Sequence, residues 1–131
     1  MKKTCFIIFI LLCNWHFILP QEKEIKLNNG WKAKRATELT EDGCLISLPN
    51  YESIGWMDAV VPGTVQTTLL QNGLIPDMFF GMNNERIPDI YNVGASFYTF
   101  WFRNTFDLPA LKKDQQVWLK LRGVNYSSNV F

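Results

Sequence analysis

The chain has 131 residues and a formal net charge of +1. That length holds one domain at most, and the near-neutral balance, with no basic cluster after Lys3, argues against a nucleic-acid partner. Three cysteines and a single histidine offer no set with metal-ligand spacing, and there is no Gly-rich phosphate loop, so neither metal nor cofactor is expected.

Met1-Lys2-Lys3 is a short basic start, followed by the apolar run Thr4 to Cys13. Basic then apolar is the order of a secretory signal peptide. Asn14 and His16 end the run well short of the ~20 apolar residues a membrane span needs. Residues 1–21 therefore read as a signal peptide and 22–131 as an exported domain, periplasmic or extracellular. Cys13 stands where a lipoprotein cysteine would, but Leu12 before it is bulky for that site, which argues against a lipid anchor. Loss of the signal leaves Cys44 as the sole thiol, with no intrachain disulfide. Stability must then come from the apolar core of the remaining ~110 residues, which are rich in aromatic residues of β-sheet type.

Glu24 to Ala36 reads as strand, turn, strand: Ile25 and Leu27 alternate, Asn28-Asn29-Gly30 signals a turn, and Trp31 and Ala33 resume the period. Lys32, Lys34 and Arg35 fit a solvated strand face. Cys44 to Leu48 is a short apolar strand candidate stopped by Pro49, and Gly55 to Val61 is another, stopped by Pro62-Gly63. Thr64 to Gly73 changes period and predicts a short helix, with Thr64 as N-cap and Gly73 just past the C-terminus. Val65, Leu69 and Thr68 share its inner face.

A long loop follows, 74 to 95. Its segment PDMFFGMNNERIPD, Pro76 to Asp89, has neither helical nor strand period. Loops of this length inside a domain are functional or disordered, and the aromatic content argues against disorder. Ser96 to Phe106 is the strongest strand signal, with Tyr98, Phe100, Phe102 and Phe106 on one face. Gln115 to Val124 is a second alternating strand: Val117, Leu119 and Leu121 against Trp118, Lys120 and Arg122. Val124 to Phe131 begins what reads as a further strand and stops without turn or cap, as in the front part of a longer protein or a truncated gene product.

Taken in order, AVVPGTVQTTLLQNGLIPDMFFGMNNE, FYTFWFRNTFDLP and VWLKLRGVNYSSNVF resemble the N-terminal domain of glycoside hydrolase family 2, in its β-mannosidase and exo-β-glucosaminidase branch. The likeness covers residues 27–131. The junction Val61-Pro62-Gly63-Thr64, a Pro-Asp-aromatic-aromatic run and Gly123-Val124-Asn125-Tyr126 carry it, and Met78 departs from the usual Pro or Leu. The resemblance implies an all-β fold, a jelly-roll β-sandwich of the galactose-binding type with one short helix, incomplete at the C-terminus. An immunoglobulin-like domain and a (β/α)8 barrel would follow.

The resemblance also implies the chemistry. Retaining glycosidases use two carboxyl groups about 5–5.5 Å apart, and in this family both are glutamates on the barrel. No catalytic residue is therefore assigned here, and Glu52 and Asp58 read as surface carboxylates. The family's long loop reaches the barrel mouth, which makes carbohydrate a partner and Asn83, Asn84 and Glu85 the candidate substrate contacts. Phe79, Phe80 and Arg86 are the candidate interdomain anchors. Amides and carboxylates suit vicinal sugar hydroxyls. The plainer alternative has the asparagines capping a turn and Glu85 paired with Arg86, an exposed pair contributing under ~1 kcal/mol. Asn84 and Glu85 fit both readings equally, while Asn83 and Arg86 fit the plainer one better. Trp31, Trp56, Trp101 and Trp118 are scattered on strands, as packing residues are.

The expected function is thus the front part of an exported glycosidase acting on terminal β-mannosides or β-glucosaminides, inactive by itself. A stand-alone carbohydrate-binding module and a nonfunctional gene fragment are the alternatives.

Overall fold

The computed structural model describes residues 23–124 and 127–131. The expected signal peptide, with Cys5, Cys13 and His16, lies outside the described residues, as do Asn125 and Tyr126.

Three strands form an antiparallel sheet in the order β2-β1-β3: β1 is Lys32–Arg35, β2 Met57–Asp58 and β3 Phe100–Arg103. Lys32 faces Asp58 on one side and Arg103 on the other, and Ala33 faces Met57 and Phe102. The ladder is extended by Ala59 N–H to the Trp31 carbonyl and Ala36 N–H to the Thr99 carbonyl, both 2.9 Å. Ala33, at the centre of β1, is fully buried. The lysines on either side of it reach solvent and find carboxylates, Lys32 with Asp58 at 2.6 Å and Lys34 with Glu38 at 2.9 Å.

The strands are shorter than the sequence suggests. Ile25 and Leu27 join no strand, and the candidate strand Gly55 to Val61 contributes only the two residues of β2. Cys44 to Leu48 is not a strand. Gly43–Ile46 forms the one-turn helix α1, because the Asp42 carboxylate accepts from Leu45 N–H at 2.9 Å and caps it. Ile46 is its buried residue of large volume, and Cys44 is exposed.

α2, Val65–Gln71, is the helix that the sequence predicts. Thr64 caps it, with Thr67 N–H donating to Thr64 Oγ1 at 3.1 Å and Thr64 N–H donating to Thr67 Oγ1 at 2.7 Å, a reciprocal capping box. Gly73 takes a φ of +68° just after it, a left-handed conformation that costs glycine little. Thr68 and Leu69 are its buried pair. Thr68 Oγ1 accepts from Val60 N–H at 3.2 Å, and Asn72 Nδ2 donates to the Asp58 carbonyl at 2.8 Å. These bonds seat α2 against the β2 segment.

From Ser96 the sequence predicts continuous strand. Ala95–Tyr98 is instead a 3-10 turn, and the ladder begins only at Phe100. The Tyr98 hydroxyl donates to the Pro88 carbonyl, which turns the chain back onto the preceding loop. Phe97 lies under the Arg35 guanidinium, 3.8 Å from ring centroid to carbon.

Gln115 to Val124 forms no strand: no helix or strand is described after Arg103, and Val117, Trp118, Leu119 and Leu121 are exposed. The last residue does find a seat. The Phe131 ring lies 5.4 Å from Trp101, over Gly43, where a Cβ would come within 2.5 Å of it.

Among the described residues, then, the architecture is a small antiparallel sheet with three short α-helices, Gly43–Ile46, Val65–Gln71 and Ile90–Val93, rather than strands with a single helix. No helix there is long and apolar enough to cross a membrane.

Candidate functional site

The segment after α2 begins with an anchor. Leu74 N–H donates to the Leu69 carbonyl at 2.9 Å, and Ile75 is buried. The chain then leaves the core and braces itself. The Asp77 carboxylate accepts from Phe79 N–H at 3.0 Å, and the Asp77 carbonyl accepts from Phe80 N–H at 3.2 Å and from Asn83 Nδ2 at 3.0 Å. Asn83–Arg86 closes a 3-10 turn. Asp89 then caps the single turn α3, Ile90–Val93, by accepting from Tyr91 N–H at 2.9 Å. Far from being structureless, the loop from 74 to 95 is a chain of small capped turns, with aspartates satisfying backbone donors that no sheet or long helix takes up.

What those turns present is apolar. Phe79 is 92% exposed, Phe80 75% and Tyr91 94%, with Met82 close behind. The backbone is held while these side chains touch little of their own fold. Met82 and Tyr91 are not among the candidate contacts and anchors that the sequence offers. Their outward direction depends on the turns set by Asp77 and Asp89, and no period in the sequence carries it.

The four polar candidates separate. Asn83 is half-buried, and its amide is engaged by the Asp77 carbonyl, a structural part. Asn84, Glu85 and Arg86 are exposed. Glu85 and Arg86 form no ion pair with each other or with another described residue, and none of these three side chains makes a hydrogen bond to another described residue. The Glu85–Arg86 pairing of the plainer alternative is therefore absent among the described residues.

Tyr98, at the base of the loop, sits among polar groups. Burial pushes the Tyr98 phenol above its ordinary value, the Arg35 charge pulls it down, the Asp89 carboxylate pushes it up and the Gln66 amide lowers it again. A phenol held protonated in the folded state contributes stability that is fully present below its unfolded value, about 10, and lost as pH rises through the folded one. Tyr98→Phe is expected to flatten the alkaline limb of a stability–pH profile above about pH 10, while lowering stability below it through the lost bond to Pro88. Chemical denaturation at stepped pH reads both effects.

Among the described residues no group of His, Cys, Asp and Glu is placed to hold a metal ion.

Comparison with known proteins places the sequence in a family. The family model described as the glycosyl hydrolase 2 galactose-binding domain-like domain matches residues 31–131. The chain is 47% identical over 108 residues to the mannosylglycoprotein endo-beta-mannosidase of Lilium longiflorum, covering 80% of this chain and 11% of that protein. It is 27% identical over 103 residues to the exo-beta-D-glucosaminidase of Streptomyces avermitilis, covering 78% of this chain and 11% of that protein. The chain thus spans 11% of the length of these curated relatives. No solved structure matches it.

Proposed function

Because the chain belongs to the glycosyl hydrolase 2 galactose-binding domain-like family, we propose that it is the N-terminal, non-catalytic part of an exported glycosidase that cleaves β-linked mannosides or glucosaminides. Residues 1–21 direct export, and residues 22–131 contribute to a jelly-roll sandwich that packs against immunoglobulin-like and (β/α)8 barrel domains of the same polypeptide. The name of the relative at 47% identity favours a β-mannoside over a β-glucosaminide.

One observation carries this reading: Phe79, Phe80, Met82 and Tyr91 stand exposed on a loop whose backbone is internally braced. Several exposed apolar side chains on one braced loop suit an interaction surface, and the partner they suit is the rest of the enzyme. Phe79 and Phe80 anchor that contact. Asn84 and Glu85, exposed on the same turn, offer donors and acceptors for vicinal sugar hydroxyls. Asn83 braces the turn through the Asp77 carbonyl, and Arg86, exposed beside it, is the third interdomain anchor.

Retaining cleavage needs a pair of carboxyl groups held at a fixed short separation, and this chain is not expected to supply it. The purified chain should release no phenol from aryl β-mannosides or aryl β-glucosaminides, and measurable turnover would overturn the reading. Isothermal titration with mannose and glucosamine oligomers completes the test. Binding by the chain unaided would favour a stand-alone sugar-binding module instead.

A further inference from the structure

Three places in the chain put an asparagine or aspartate directly before a glycine: Asn29-Gly30, Asp42-Gly43 and Asn72-Gly73. Such a pair can close on itself, because glycine has no Cβ to keep its backbone nitrogen from the preceding side-chain carbonyl carbon. Closure needs both reacting groups free, and the fold holds two of the pairs and leaves one. At Asn72-Gly73 both groups are occupied. Asn72 Nδ2 donates to the Asp58 and Thr68 carbonyls, each at 2.8 Å, and Gly73 N–H donates to the Leu70 carbonyl at 3.0 Å. At Asp42-Gly43 the carboxylate accepts from Leu45 N–H at 2.9 Å, and Gly43 is buried against the Phe131 ring. Asn29-Gly30 differs on each count. Both residues are exposed, and neither the Asn29 side chain nor Gly30 N–H is hydrogen-bonded to another described residue. Gly30 has a φ of +77°, and the described atom nearest to where its Cβ would stand is Asn104 Oδ1, at 3.4 Å.

We propose that Asn29 is a site of covalent modification, the member of the three pairs that deamidates in the folded chain. The Gly30 nitrogen attacks Asn29 Cγ and forms a C–N bond. The Cγ–Nδ2 bond breaks, and Nδ2 leaves as ammonia with the proton that the Gly30 nitrogen gave up. The cyclic imide then takes up water at either carbonyl and opens to aspartate or to its β-linked isomer. The net exchange is a water for an ammonia, with no oxidant, reductant or cofactor. Either product carries a carboxylate where the amide stood. The β-linked product also routes the main chain through the side-chain carbons. That removes from the backbone the carbonyl that accepts from Asn104 Nδ2 at 3.0 Å, just ahead of Trp31 and β1. The turn is otherwise closed by Trp31 Nε1 donating to the Leu27 carbonyl at 2.6 Å, so the change falls inside an ordered element of the fold.

Peptide mapping by mass spectrometry tests this on the full chain, held folded at mildly alkaline pH and sampled over time. The peptide holding Asn29 is expected to convert from amide to acid, with the β-linked isomer present, while Asn72 and Asp42 stay unchanged. The same incubation in denaturant should bring Asn72 to the rate of Asn29, because its protection belongs to the fold. Asn29→Gln has a side chain too long to close the same ring. Position 29 is exposed, so this variant should keep the parent's far-ultraviolet circular dichroism and lose the new acidic species on ion exchange. Three results would overturn the proposal: equal conversion of Asn29 and Asn72 in the folded chain, an Asn29 that converts in denaturant and not in the folded chain, or the same acidic species from Asn29→Gln.

Discussion

Leu69→Ala is expected to destabilise the chain by about 3 kcal/mol, seen as a lower denaturation midpoint at unchanged slope. The reasoning starts from how small the core is. Among the described residues the buried apolar side chains are Ala33, Ile46, Trp56, Leu69 and Ile75. Leu69 is 1% exposed, and with Thr68 it forms the largest fully buried pair. Truncation removes the transfer free energy of its methyl and methylene groups and leaves a cavity that α2 can close only by moving. Movement is resisted, because the Thr68 hydroxyl is bonded to Val60 and the Asn72 amide to Asp58. A loss below about 1 kcal/mol would mean that α2 is not seated as described.

Arg103→Met is expected to cost about 2 kcal/mol in the same measurement. Arg103 is the last residue of β3, and its guanidinium crosses to the end of α1. Nε donates to the Ile46 carbonyl at 2.9 Å and Nη2 to the Leu48 carbonyl at 2.8 Å. Helix ends leave carbonyls without intrahelical partners, and a cation meeting them makes a charge-assisted bond. The group also stands over the Tyr51 ring at 5.7 Å. Methionine keeps much of the stem but removes both of these bonds and the exposed one from Nη1 to Thr105 Oγ1 at 3.0 Å. Solvent can hydrate the exposed Leu48 end, which keeps the figure from being larger. Arg103→Lys should recover only part of the loss, because an ammonium cannot span two carbonyls as the planar fork does.

The local signals in the sequence were the ones that could be read. Thr64, Thr67 and Gly73 specify α2 through bonds and dihedrals reaching a few residues at most, so the helix lies where its sequence puts it. The central strand residues around Ala33 and Phe102 were legible for the same reason: the alternation is local. Cys44 to Leu48 misled because a short apolar run fits a strand or a buried helical turn equally. The deciding residue is Asp42, just outside the run, whose carboxylate caps α1. The strand start at Ser96 failed for a non-local reason, the reach of the Tyr98 hydroxyl back to Pro88.

In the candidate site, the sequence singled out the aromatic–amide stretch but could not sort its members. Asn83 and Asn84 are adjacent and identical in type. Only the folded turn gives the first of them the Asp77 carbonyl and leaves the second at the surface. The alternation of 116–122 was equally plain, but alternation states which face is apolar and not whether a neighbour exists to form the ladder.

The brace beneath Phe79 and Phe80 has an evolutionary corollary. The bonds that shape this loop come from Asp77, Asn83, Asp89 and Tyr98, so the two rings can be exchanged for other side chains with little penalty to folding. Selection acting on those two positions is therefore selection on what they meet. A lineage could retune that encounter, or abandon it, while the scaffold beneath stayed the same.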